Sequence, residues 1–191
     1  MIHPSALPLD SDRARRVVRA VAETATATSP DHLDCELLQD IAEGLGRSVS
    51  ADLLPPGSGR RWVRLLATRS YDAWLIGWPS GTGLDLHDHG ESRAALCIVR
   101  GELNEQHLHR AGKNRVVTRR LVAGDAVAFD SAHVHAVHNV NDTEALSVHV
   151  YSPPLSTMTF FEQGVASELL PVDAALVDQE PRLAPPARAG V

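Results

Sequence analysis

His87 and His89 stand one residue apart in LDLHDHGES, and a second segment, HVHAVHN, places His133, His135 and His138 close together. Ten histidines in 191 residues is a high count, and five of them fall in these two segments. Neutral imidazole is the commonest nitrogen ligand for zinc, iron, copper and nickel. Successive strand residues face opposite ways, so His87 and His89 share a face from which Asp88 turns away. A solvated loop pair is the bland alternative for any His-x-His; the second histidine segment favours a metal. Further on, Ser147, His149 and Tyr151 recur at every second position. One strand therefore aims a hydroxyl, an imidazole and a phenol at one face. On an interior face, Ser147 can fix the His149 tautomer, and His149 can orient the Tyr151 hydroxyl.

Positioning such groups takes a folded core, and 191 residues suit one core with a small helical extension. With 43% hydrophobic and 22% charged residues the balance is globular. The net charge of −6, with no Lys/Arg-rich block, argues against nucleic acid or acidic membranes as partners. No apolar run approaches the roughly 20 residues of a membrane helix. The start, MIHPSALPLDSDRARR, carries no signal pattern, so a cytoplasmic location is expected. Cys35 and Cys97, the only cysteines, lie in segments of different type, which argues against a disulfide and excludes a Cys-based zinc site.

Residues 11–27 and 31–46 read as amphipathic helices, the second with Leu33, Leu37, Leu38, Ile41 and Leu45 at helical spacing. Asp31 is expected to cap it, with Gly44 and Gly46 at its exit. PPGSGR, 55–60, ends the helical region. From Arg61 to about Phe161 short apolar runs alternate with turns, among them RWVRLLA, AWLIGW, AALCIVRGEL, HVHAVHNV and LSVHVYS. About eight or more strands at this spacing predict a mainly β, antiparallel sandwich or barrel. The organisation expected is therefore an N-terminal helical extension over 1–60, a β-domain over 61–161, and a partly irregular C-terminal segment over 162–191.

The histidine spacing resembles the cupin family. Gly81, His87, His89 and Gly101 fall in register with its first motif, and Gly124, Asp130, Ala132, His135 and Asn139 with its second. The register singles out His135 as the third ligand beside His87 and His89. Where cupins usually have a glutamate ligand this chain has Ala94, leaving three histidines and no carboxylate. Within cupins, S-x-H-x-Y-S-P-P over 147–154 and HDHGES at 87–92 resemble cysteine dioxygenase and related thiol dioxygenases. The resemblance implies a cupin-type antiparallel β-barrel or jelly roll with N-terminal α-helices. It also implies one Fe(2+) per chain on His87, His89 and His135, with His149 beside the site but not ligating. Three neutral imidazoles would leave Fe(II) its full double charge and open positions, which favours an anionic thiolate and O2; zinc would fit the same ligands, and iron rests on the resemblance.

The implied reaction adds both atoms of O2 to the sulfur of a small thiol, with L-cysteine to cysteine sulfinate first. Tyr151, supported by His149 and Ser147, would be catalytic and touch the substrate. RWVRLLA aligns with the family's carboxylate-binding strand and puts Arg64 in that role, since a guanidinium grips a carboxylate bidentately. Trp78 also has a family counterpart, which implies a place beside the substrate or a role as a barrel-packing aromatic. The family's animal members cross-link a cysteine to the tyrosine; Ala94 stands there, so Tyr151 should be unmodified and Cys97 should face away. Space at Ala94 keeps other thiols open (3-mercaptopropionate, cysteamine or a bulkier thiol-histidine), and a non-catalytic metal-binding cupin that senses a small ligand is the reading from another class. A monomer or a homodimer is equally consistent with the sequence.

Overall fold

A computed structural model describes residues 32–109, 115–163 and 169–176; the helix expected over 11–27 lies outside them. Among the described residues one helix, α1 (Cys35–Gly46), precedes a single 3-10 turn (Ala51–Leu53) and eleven strands. These are β1 (Arg61–Ala67), β2 (Asp72–Trp78), β3 (Gly83–His87), β4 (Arg93–Arg100), β5 (Glu102–His109) and β6 (Arg115–Val122). There follow β7 (Ala126–Phe129), β8 (His135–His138), β9 (Ala145–Ser152), β10 (Thr157–Gln163) and β11 (Leu169–Leu176). They form two antiparallel sheets, ordered β1-β2-β9-β4-β7 and β11-β10-β3-β8-β5-β6. This is the mainly β, jelly-roll-like arrangement expected, except that the sheets are not closed into one barrel.

The helix starts later than its sequence period suggests. Asp34, not Asp31, is the N-cap: its Oδ1 accepts the Leu37 backbone N–H at 2.9 Å, satisfying one of the free donors of the first turn. Nor does a left-handed glycine end it, because the C-cap is Arg47 at φ −72°. Gly46 serves close packing instead; a Cβ there would lie 2.9 Å from Cys97 Sγ.

Strands β4 and β9 at the centre of the five-stranded sheet are buried on both faces. Ala95, Cys97, Val148 and Val150 pack outward under Leu38, Ile41 and Leu45 of α1. Ala94, Leu96, Ile98 and Tyr151 point inward, toward Leu84, Leu103, Val137 and Met158 of the opposing sheet. Cys97 thus faces the helix and not the sheet interior, as expected. Each aliphatic side chain fully buried this way contributes about 1.5–3 kcal/mol. The run read as one strand, AALCIVRGEL, divides at Gly101 (φ +73°), where the chain leaves one sheet for the other; a Cβ there would sit 3.0 Å from Ala145 Cα.

Within the C-terminal segment, Leu169–Leu176 pairs antiparallel with β10 as the edge of the six-stranded sheet. Pro171 stands opposite Phe161 at a register shift, and an edge position tolerates a residue without an N–H. No described helix is long and apolar enough to cross a membrane.

Candidate metal centre

His87 closes β3 and lies directly opposite His135, the first residue of β8. His89 follows in a loop that Asp88 pins to β10: its Oδ1 accepts the backbone N–H groups of Gly90 and Thr159, each at 3.0 Å. Gly90 (φ +58°) lets the loop turn there, for a Cβ would come within 2.5 Å of Thr157 Oγ1. The three imidazoles converge. Their ring centroids are 4.7–5.0 Å apart, and one nitrogen from each lies within 4.8 Å of the others. All three side chains are buried.

Burial pushes the pKa of each ring below the ordinary histidine value, and mutual repulsion deepens the effect at His87 and His89. Neutral rings with free lone pairs are what metal coordination requires. His87 Nδ1 lies 2.7 Å from the Asp85 carbonyl and His135 Nδ1 lies 2.8 Å from Glu105 Oε1, so both donate from Nδ1 and keep Nε2 free. His89 Nδ1 is buried with no hydrogen-bond partner among the described residues. An orphaned nitrogen in a cluster of neutral imidazoles fits a metal and suits iron, zinc, copper or nickel.

Beside the cluster runs a chain of side-chain hydrogen bonds. The Trp78 indole donates to Ser147 Oγ at 2.8 Å; Ser147 Oγ is 2.9 Å from His149 Nε2, and His149 Nδ1 is 3.2 Å from the Tyr151 hydroxyl. Ser147 Oγ, which accepts from Trp78, has both a proton and a second lone pair to offer Nε2; in the tautomer with the proton on Nδ1, His149 donates to the Tyr151 oxygen. That tautomer leaves the Tyr151 proton for another acceptor; the other has the phenol donate to Nδ1. Burial, then repulsion from His135 and Arg60, pushes His149 down to about 3, and burial pushes Tyr151 up, so both stay neutral. The Tyr151 ring centroid is 5.2 Å from that of His89. Ala94 lies opposite Tyr151 on β4, so no thiol faces the phenol from that position.

Two arginines of this strand region differ in burial. Arg64 is exposed, its guanidinium 5.3 Å above the Trp74 ring. Arg60 is 9% exposed and lies over both Trp62 (5.7 Å) and Trp78 (5.3 Å). It donates to the Gly83 carbonyl at 3.4 Å, and among the described residues no carboxylate pairs with it. Burial lowers its pKa and the nearby Tyr151 phenol raises it. Trp78 is buried and serves as the platform of Arg60 and the anchor of Ser147. Asn139 ties this wall to the end of β8, donating to the Trp78 and Thr143 carbonyls at 2.7 and 2.8 Å.

Three groups near the site were not singled out from the sequence. Arg60 is the first. Asp72 is buried opposite Tyr151, accepts from the Trp74 indole and the Leu155 N–H, and is pushed up to about 6 by burial. Glu105, wholly buried, lies against His133 and His135. Among the other histidines, His138 is half-exposed and 3.8 Å from Asp85 Oδ1, outside the cluster.

Residues 54–164 match the family described as cysteine dioxygenase type I. Cysteine dioxygenase type 1 of Rattus norvegicus is 33% identical over 100 residues, 49% of this chain and 50% of that protein. The Danio rerio protein of the same name is 32% identical over 101 residues, with the same coverage. The chain therefore spans about half the length of the curated relatives it matches. Among solved structures, an oxalate oxidase in complex with the substrate analogue glycolate superposes with a TM-score of 0.48 at 20% identity, covering 55% of this chain and 56% of that one.

Proposed function

The chain belongs to the cysteine dioxygenase type I family, and on that premise we propose that it is a thiol dioxygenase holding one Fe(2+) on His87, His89 and His135. The proposed substrate is a small thiol that bears a carboxylate, L-cysteine first. The observation that carries the reading is the set of groups meeting at one place: three buried neutral imidazoles, a buried arginine that no carboxylate among the described residues pairs with, and a buried phenol held by His149. Iron, when bound, supplies the redox chemistry by which O2 oxidises a thiol; zinc would fit the same nitrogens but has no accessible redox change.

The remaining work falls to the protein. Arg60, desolvated on two indoles, is a ready partner for an anion, because a buried guanidinium left unpaired is costly. A substrate carboxylate satisfies it and fixes which way the thiol points. Arg60 thus takes the role that the sequence alignment assigned to Arg64. Tyr151 donates its proton to the substrate or to the oxygen arriving at sulfur, and His149 and Ser147 hold the phenol in that orientation. Leu84, Leu96 and Met158 line the sheet interior and limit water there. The overall change is R–SH + O2 → R–SO2H, in which sulfur is oxidised, both oxygen atoms end on it, and no external reductant enters. A cytoplasmic enzyme with no nucleic-acid or membrane partner is part of the same proposal.

Oxygen uptake by iron-loaded protein, measured against L-cysteine, 3-mercaptopropionate and cysteamine, tests this reading. Turnover is expected with the carboxylate-bearing thiols, and cysteamine should be poor because it leaves Arg60 unsatisfied. Fast turnover of cysteamine alone would remove the carboxylate from the account. No uptake with any thiol, by protein shown to hold iron, would favour a ligand-sensing role.

A further inference from the structure

The carboxylate missing from the ligand set is present one step away. Glu105 comes from β5, where Leu103, Glu105 and His107 face the same way, and Leu103 and Glu105 are fully buried. Its Oε1 receives His135 Nδ1 at 2.8 Å and His133 Nε2 at 3.1 Å, while Oε2 receives Arg119 Nε. The Phe129 ring closes the outer side: His133 stacks on it at 4.3 Å, nearly parallel at 8°, and Arg119 lies 5.6 Å over it. Glu105, His133 and His135 also stand close enough to hold an ion of their own. Against that use, both imidazole contacts have hydrogen-bond lengths and the second oxygen is committed to a guanidinium. The group reads as one acceptor for three donors.

We infer that Glu105 is a positioning residue for the metal: it locks His135 in the tautomer that leaves Nε2 free, and its charge makes that imidazole a stronger donor. The inference rests on the metal reading proposed above. A carboxylate behind a ligating histidine raises the ring's basicity and fixes its orientation, and losing it typically costs 10–100-fold in metal affinity. It also supplies, through one histidine, part of the negative charge that a directly bound carboxylate would bring. Arg119 and His133 hold the carboxylate in place from the solvent side.

The test is the affinity of full-length protein for ferrous ion, by anaerobic competition with a chelator, alongside thermal stability without metal. Glu105→Ala should weaken binding about 10–100-fold. Glu105→Gln keeps an acceptor but not the charge; it should fall between Ala and wild type and shift the iron midpoint potential to more positive values. Arg119→Gln is the structural control, removing the ion pair while leaving Glu105 on His135. It should lower the melting temperature yet bind iron within about threefold of wild type. If Glu105→Ala does not fold, Glu105→Gln alone decides. Wild-type affinity and potential in Glu105→Gln would overturn the inference, as would an equal loss in Arg119→Gln. Wild-type protein that bound no ferrous ion would instead overturn the metal reading itself.

Discussion

The guanidinium of Arg60 lies 5.3 Å over the Trp78 ring, and the same indole donates to Ser147, the first member of the chain that ends at Tyr151. One tryptophan therefore links the group proposed to hold the substrate carboxylate to the group proposed to donate a proton. The two are set at fixed distances by a side chain wholly buried between the sheets.

That link separates the two arginines of the first strand region. Arg60→Gln should lower kcat/KM for L-cysteine by roughly 10- to 100-fold, the loss of about 1.5–3 kcal/mol of charge-assisted hydrogen bonding. Arg64→Gln, beside the half-buried ring of Trp74, should stay within about twofold. Steady-state oxygen uptake measures both, and the reverse ranking would return the clamp to Arg64.

Tyr151→Phe removes the phenol proton proposed to meet the substrate or the arriving oxygen. We expect kcat to fall about a hundredfold or more, the usual result of removing one donor aimed at developing charge. Iron content should be unchanged, because the phenol is not among the clustered nitrogens. Ser147→Ala frees the His149 tautomer without removing the phenol, and should cost about tenfold, in line with one net hydrogen bond. Ser147→Ala as damaging as Tyr151→Phe would mean that the phenol acts only through its setting.

Metal removal should be visible in stability. At a metal concentration about 100 times its dissociation constant, binding adds about 2.7 kcal/mol, or roughly 5–10 °C in Tm for a chain of this size. Chelation should lower Tm by that amount in wild type and leave His135→Ala unaffected. An unchanged wild-type Tm would show that the histidines hold nothing.

The metal-free protein should lose stability in acid. Burial pushes His149 down to about 3 and lowers His87, His89 and His135, whereas unfolded histidines titrate near 6.5. The folded values lie below the unfolded ones, so this stability is complete above about pH 6.5 and declines as pH falls through each folded value, for His149 toward 3 at about 1.4 kcal/mol per pH unit. Asp72, pushed up to about 6, works in the opposite sense between roughly pH 6 and 4, but one carboxyl does not offset several rings. Urea midpoints from pH 7.5 to 5 should fall, less steeply in His149→Gln; a flat profile would contradict the buried neutral cluster.

Much of this site was legible from spacing alone. Alternation put His149 and Tyr151 on the face opposite Val148 and Val150, and the structure buries the two sets on opposite sides of β9. Asp34 and Asp31 were harder to tell apart, because both precede the same apolar period and only the accepted Leu37 N–H decides. The strand at Leu169–Leu176 carries a proline and no alternation, a pattern that only an edge position makes acceptable. Arg60 and Arg64 have equal parity; which is buried depends on Trp78 and Gly83, supplied by other strands. Glu105 followed Leu103 at strand spacing, and its inward position was available from that pattern. Its meaning depended on Arg119 and His133, which no local signal connects to it.

The most direct test of the central claim is turnover of L-cysteine under isotopically labelled O2, with the product analysed by mass spectrometry. Dioxygenation at the three-histidine site predicts a sulfinic acid in which both oxygens on sulfur carry the label, and none is formed by His135→Ala. A product labelled in neither oxygen, or a disulfide formed at the same rate by both proteins, would contradict it.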